Sequence, residues 1–197
     1  GSHIAGKDTV APTGGMALQV LSSMDEPWID YSFASSRYEK DKGPEDSREF
    51  ISYGISHPDY EFKGYDLDAK RFPTFRYSFK GVTVEDHYRP MNLNGINAVH
   101  RTMIISDFLP ANTYLLAGVR GDFSKLSDGY YKINDLMAIK VEGAVPIIRD
   151  SEALNVKPPL RKTEPKKEKR KELLVPVKGR QKIKIIYRWM SARDLKK

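Results

Sequence analysis

Residues 73–88 read PTFRYSFKGVTVEDHY: apolar and polar side chains alternate up to Lys80-Gly81, alternate again beyond it, and end on Glu85-Asp86-His87. Gly81 supplies the positive φ that a two-residue hairpin turn demands, and a turn at this point sets the register. Phe79 then faces Val82, Ser78 faces Thr83, Tyr77 faces Val84, Arg76 faces Glu85, Phe75 faces Asp86 and Thr74 faces His87. Strand side chains point alternately to either side of a sheet. Phe75, Tyr77, Phe79, Val82 and Val84 therefore share an apolar side, and Arg76, Ser78, Thr83, Glu85 and His87 a polar one. Asp86 falls on the apolar side, where it is expected to sit at a rim, accept backbone donors or mark the end of the pairing.

The same two-residue period recurs along the chain. Ile183, Ile185, Tyr187 and Trp189 oppose Lys182, Lys184 and Arg188, with Ile186 the exception, and Met137, Ile139 and Val141 oppose Ala138, Lys140 and Glu142. Each pattern asks for one buried face. Strands are expected at Met16–Leu21, Trp28–Phe33, Phe50–Ile55, Tyr60–Tyr65, Pro73–Phe79, Val82–Tyr88, Val99–Ser106, Thr113–Ala117, Gly129–Ile133, Leu136–Val141, Ala144–Arg149, Leu173–Val177 and Lys182–Trp189. Turn residues separate them, no segment keeps a helical period, and the best helical stretch, around Ser47–Ile51, is short. One-sided strands in close succession define an all-β protein, an antiparallel β-sandwich of roughly a dozen strands, supersandwich- or jelly-roll-like. The sandwich is placed at residues 16–190, after a tag and N-terminal arm at 1–15 and before a tail at 191–197. His3 belongs to the tag-like start GSHIAGK, and Tyr38–Arg48 reads as a polar surface loop.

At 197 residues, with 40% hydrophobic and 11% aromatic content, the chain can bury a sizeable core. No run approaches the roughly 20 apolar residues that span a bilayer, so no membrane insertion is expected. With no cysteine there is no disulfide, no thiolate nucleophile and no C-x-x-C-H haem attachment. The net charge of +7 is concentrated between Val156 and Lys171, where eight basic residues stand against Glu164 and Glu168. That tract, VKPPLRKTEPKKEKRK, reads as a solvated basic loop over 156–171, with electrostatic contact to a polyanion or acidic surface as the alternative. Charge confined to one stretch without interleaved aromatics argues against a nucleic-acid face.

Arg76 and Glu85, opposite in the hairpin, suit a cross-strand ion pair worth about 0.2–1 kcal/mol. Glu85 and His87 share the polar face about 7 Å apart by strand geometry, close enough to meet one ligand. Arg101, in a neighbouring strand, and Trp28, in a turn after Asp25-Glu26-Pro27, complete the candidate ligand-binding set of Arg76, Glu85, His87, Arg101 and Trp28. Trp189, ending an apolar face, is expected in the core, whereas Trp28 could stack on a sugar ring. His57 and His100 lack metal-ligand spacing; Asp66 with Asp68 in YDLDAK has hairpin-turn spacing that leaves calcium as a remote alternative, since hard-cation loops need several oxygen ligands. G-x-S-x-G, H-E-x-x-H and phosphate-cradling glycine loops are missing from the sequence. No catalytic residue, metal or cofactor is assigned.

In order along the chain, YEFKGYDLDAKRFPTFRYSFKGVTVEDHY, HRTMIIS, YYKIND with VPIIRD, and KELLVPVKGRQKIKIIYRW resemble the β-rich domain of large exported bacterial haem-binding or sorbosone-dehydrogenase-like proteins. In that family the domain accompanies cytochrome-c-type modules and a propeller-type dehydrogenase. The likeness runs from Met16 to Trp189. It departs in the missing C-x-x-C-H and in a longer basic tract before KELLVPV, so the family's haem does not carry over. What the resemblance implies is a periplasmic or secreted setting, with other domains or subunits of an exported redox assembly as partners and an accessory part for this domain.

The residues and the resemblance together lead to a non-catalytic binding domain for a carbohydrate or polyol-type ligand. Two rivals differ in what they require. A small carbohydrate-active enzyme of epimerase or lyase type would use Glu85 and His87 as acid and base, with Arg76 or Arg101 neutralising developing charge, and would need them in a pocket. A structural spacer docking an electron-transfer partner through the basic loop would leave them on a flat wet surface. A sugar module requires exposed aromatics aligned on one face.

Overall fold

The computed structural model describes residues 17–31, 59–156 and 166–191. Within them are twelve strands and no helix: β1 (Leu18–Val20), β2 (Ile29–Tyr31), β3 (Tyr60–Leu67), β4 (Pro73–Phe79), β5 (Val82–Leu93), β6 (Ile96–Ile105), β7 (Phe108–Val119), β8 (Tyr131–Lys132), β9 (Met137–Glu142), β10 (Ile147–Val156), β11 (Lys166–Gly179) and β12 (Lys182–Trp189). They form a five-stranded sheet in the order β1-β7-β11-β10-β2 and a seven-stranded sheet in the order β3-β4-β5-β6-β12-β9-β8. All pairings are antiparallel except β2 with β10. The expected strand Phe50–Ile55, the short helical stretch, the loop Tyr38–Arg48, His57 and the N-terminal arm lie outside the described residues, as does the tail beyond Ser191.

The β4–β5 hairpin has the register that its sequence dictates, from Phe79 opposite Val82 to Thr74 opposite His87. Lys80 and Gly81 both adopt positive φ, 51° and 80°, as a turn matching the right-handed strand twist requires. Phe79 and Val84 point inward and join Met103, Ile105, Ile139, Ile183 and Ile185 on one sheet, packed against Leu18, Leu115, Ala117, Leu173, Val175 and Val177 on the other. Two tyrosines stitch the layers together. The Tyr60 hydroxyl lies 2.6 Å from both the N–H and the carbonyl oxygen of Leu18, accepting from one and donating to the other, and the Tyr187 hydroxyl donates to the Ala117 carbonyl at 3.0 Å. Gly179 closes the β11–β12 turn at φ +89°, where a Cβ would fall 2.2 Å from the Asp107 oxygen, so no larger residue fits.

Three expectations need correction. The first is Trp28, which is fully buried rather than available to a ligand: it packs with Leu21, Ala153 and Leu174 on the outer side of the five-stranded sheet. That side is covered because the 21–30 segment is clamped onto it by charge. Arg149 donates to the carbonyl oxygens of Met24 and Glu26 at 2.8 and 2.9 Å and pairs with Glu172, whose carboxylate also accepts from Arg170 at 2.8 Å. Arg170 in turn pairs with Asp30.

Second, the basic tract is not one long loop. Lys166–Lys171 belong to β11 and pair in register with β10, from Asp150 opposite Lys171 to Asn155 opposite Lys166, leaving 157–165 outside the described residues. A run of charges can extend a strand when alternate side chains find partners, and here Glu168 meets Arg120 while Arg170 and Glu172 enter the buried network. Third, Trp189 is 47% exposed rather than core. It lies one residue past the last β12–β6 pair, Arg188 with Ala98, and keeps only Met137 as a cross-strand neighbour. On the other side of that strand Arg188 is buried, against the Tyr130 ring at 4.4 Å and Asp128 at 2.9 Å. No helix among the described residues is long and apolar enough to cross a membrane.

Candidate ligand-binding faces of the seven-stranded sheet

The strands β3, β4 and β5 present different chemistry on their two sides. On the outer side Arg76 stands between Asp66 and Glu85, 3.4 Å from the latter. Glu85 Oε2 is 3.5 Å from His87 Nε2, and His87 Nδ1 is 3.0 Å from Thr74 Oγ1. Arg89 extends the row through the carbonyl oxygens of Pro73 and Tyr88 and through Asp68 at 3.1 Å. Asp68 also caps the β3–β4 turn, accepting from the backbone N–H groups of Lys70 and Phe72 at 2.9 Å. The Phe72 N–H chiefly, with help from Lys70 and Arg89, holds its carboxyl below the ordinary carboxylate value. Alternation thus brings together Arg76, Glu85 and His87 as the sequence requires. Each is already engaged with a neighbour, and the acidic pair suggested for calcium is spent on Arg76, Arg89 and the turn.

Arg101 is not part of this group. It shares the apolar phase of Met103 and Ile105, so it lies on the inner side, 7% exposed, facing Asp86 at 4%. Its Nε and Nη2 donate to the Asp86 carboxylate at 2.9 and 2.6 Å. Asp86 is therefore neither a rim residue nor the end of the pairing, for β5 continues to Leu93. Burial opposes the charge on Arg101, but the hydrogen bonds and attraction of Asp86 outweigh it and raise its pKa well above the ordinary guanidinium value. Tyr88 lies under the guanidinium, 5.3 Å from ring centre to Cζ, with its hydroxyl 3.3 Å from Asp86. Burial drives the pKa of both Tyr77 and Tyr88 upward, so each stays a neutral phenol at any working pH.

Beside this charged floor the inner side carries aromatic surface in the open. Phe62 is 66% exposed, Tyr65 60% and Leu67 44%, all on β3. Strict alternation would send Phe62 and Tyr65 to opposite sides. A bulge between Phe62 and Gly64 adds one residue and brings Tyr65 opposite Phe75, so Phe62, Tyr65 and Leu67 line the same side. Tyr65 leans on Phe75 at 6.1 Å and Phe75 meets Tyr88 edge-on at 6.1 Å, making a continuous row of rings across β3, β4 and β5. The signal for this row was Gly64, a residue that breaks a strand pattern and so marks a bulge. A further recess lined by Leu109, Asn112, Tyr114, Pro176 and Lys178 belongs to the five-stranded sheet.

The fold and these faces define the class: an all-β protein of two packed, essentially antiparallel sheets, one of which displays aromatic side chains at its β3 edge. No protein-family model matches the chain, and no curated protein does. Among solved structures it is similar to one described as a heparinase III (BT4657 gene product), with 13% sequence identity and a TM-score of 0.29 over 66% of this chain. The likeness takes in 21% of that protein's length.

Proposed function

We propose that the chain is a non-catalytic binding module that takes carbohydrate on the ring-bearing inner side of β3–β5. The observation that carries it is the alignment of Phe62 and Tyr65, both more than half exposed, with Phe75 and Tyr88 on one side of one sheet. Isolated apolar side chains on a surface need no explanation, whereas exposed rings gathered on one side of one sheet mark a recognition site. Flat rings offer large contact area at small entropic cost and accept the C–H faces of a pyranose. The setting proposed with it, accessory to a catalytic or electron-transfer part of an exported assembly, is supported by the motif resemblance alone.

Calorimetric titration with neutral hexasaccharides (gluco-, xylo- and manno-) and oligogalacturonides tests the site. At least one should bind, and Tyr65→Ala or Phe62→Ala should weaken it about tenfold, from roughly 1–2 kcal/mol of lost ring contact. Glu85→Ala should leave the affinity within about twofold of the parent, since its carboxylate sits on the other side of the sheet. Unchanged affinity in Tyr65→Ala and Phe62→Ala, or no binding to any sugar in the panel, contradicts the proposal.

A second reading, an epimerase- or lyase-type site on the outer side, is favoured by one contact. Glu85 and His87 stand 3.5 Å apart with Thr74 fixing the far ring nitrogen of the histidine. Loss of binding in Glu85→Ala, together with turnover of a bound sugar, would favour it.

A further inference from the structure

The arm formed by β10 and β11 sorts its charges by side. On the side of Leu174, the middle of β11 spends its charges within the protein: Glu168 on Arg120, Arg170 on Asp30 and Glu172, and Glu172 on Arg149 as well. On the side of Leu173, Lys167, Lys169 and Lys171 follow one another about 7 Å apart, the two-residue step of a strand. All three are exposed, as is Lys166. Lys167 has a solvent-exposed partner in Glu152 at 3.1 Å and Lys171 a distant one in Asp150 at 4.0 Å. Lys166 and Lys169 close no ion pair among the described residues, although Glu152 stands opposite Lys169 in the register. Glu168 and Glu172 therefore do not neutralise these lysines, because folding has already given them to arginines. Pairing with β10 also holds the lysine backbone in a fixed extended row, so little chain entropy remains to be lost when a ligand aligns with it.

From this we infer that the exposed lysines of this arm, the row Lys167, Lys169 and Lys171 together with Lys166 at its end, are an electrostatic contact for an acidic polysaccharide, a chain bearing uronate or sulfate groups at regular intervals. The inference rests on the carbohydrate-binding reading above and names its ligand class. A linear polyanion gains by displacing the counterions of several ammonium groups at once, whereas a single anion gains little from an exposed lysine. Single-stranded nucleic acid would also meet the charge, but it is held by stacking its bases on aromatic rings. The sequence has no Phe, Tyr or Trp anywhere between Tyr131 and Tyr187, so the arm offers no ring to a base.

The test measures binding of the whole chain to polygalacturonate, to a neutral glucan and to poly(U) RNA over a series of salt concentrations. The expected result is polygalacturonate binding that weakens steeply with salt. In the fourfold variant Lys166→Gln, Lys167→Gln, Lys169→Gln, Lys171→Gln it should fall about tenfold or more and lose much of its salt dependence. These side chains are exposed, so an unchanged melting temperature confirms that the variant is folded. Unaltered polygalacturonate affinity in the variant, no binding of the polyanion, or RNA bound as tightly as the polysaccharide overturns the inference. Failure of the two readings is separable. A neutral sugar bound through Tyr65 with no polyuronate binding leaves the ring-bearing face standing and removes the lysine row. Polyuronate binding that follows the lysines but ignores Tyr65→Ala does the reverse.

Discussion

Asp86→Ala is expected to cost about 3–5 kcal/mol of folding stability, because it leaves the Arg101 guanidinium charged and uncompensated inside the sandwich. For a chain of this size that is a fall in melting temperature of roughly 6–20 °C. The reason lies in the geometry. Three hydrogen bonds join the pair, both side chains are nearly inaccessible, and the neighbouring Tyr77, Tyr88 and Tyr187 stay neutral, so none can take over the carboxylate's role. Removing both charges has a different consequence. Asp86→Leu combined with Arg101→Met replaces two desolvated ions by apolar groups of similar size, and it should lie within about 1–2 kcal/mol of the parent or above it. Denaturant titration of the single and double variants measures both values. A single variant that costs less than about 1 kcal/mol would show that water reaches the guanidinium and that the inner side is open at this point.

Trp28→Ala is expected to cost a similar amount, about 3–5 kcal/mol, for a different reason: it empties a large cavity between the 21–30 segment and the five-stranded sheet. Trp28 is fully buried beside Leu21, Ala153 and Leu174, on the opposite sheet from the ring row of β3–β5. Folded Trp28→Ala should therefore keep its sugar affinity while melting earlier, as calorimetry and thermal unfolding on the same sample would record. Lost affinity in a folded variant would return Trp28 to the binding site.

The outcome for Trp28 shows where the sequence is legible and where it is not. A two-residue period states that a strand has one apolar side, and for β4, β5, β9 and, short of Trp189, β12 that placed the inner core and the hairpin register correctly. It does not state what covers the other side. The outer side of the five-stranded sheet is buried by a segment pinned through Arg149, Arg170 and Glu172, of which Arg170 falls in the tract that reads as a solvated loop. The groups that Arg149 and Arg170 hold in that segment, the Met24 and Glu26 carbonyls and Asp30, stand more than a hundred positions away in the chain, so no local pattern announces them.

The Asp86–Arg101 pair was nearer to being readable. Each residue falls on the apolar phase of its own strand, and the strands are consecutive, so two charges out of phase on adjacent strands signalled a buried pair. The ring row was hidden by a single inserted residue. Phe62 and Tyr65 are three apart, a spacing that alternation assigns to opposite sides until the bulge at Gly64 is allowed for. Arg76, Glu85 and His87 were grouped correctly because nothing interrupts their strands, but sharing a side did not make them a pocket.

The most direct measurement is an NMR titration of isotope-labelled protein with the sugar from the panel that binds tightest. Binding as proposed perturbs the ring resonances of Phe62, Tyr65, Phe75 and Tyr88 and leaves the Glu85 carboxyl and the His87 imidazole where they were. Perturbations gathered at Glu85 and His87, with the four rings unmoved, would contradict it.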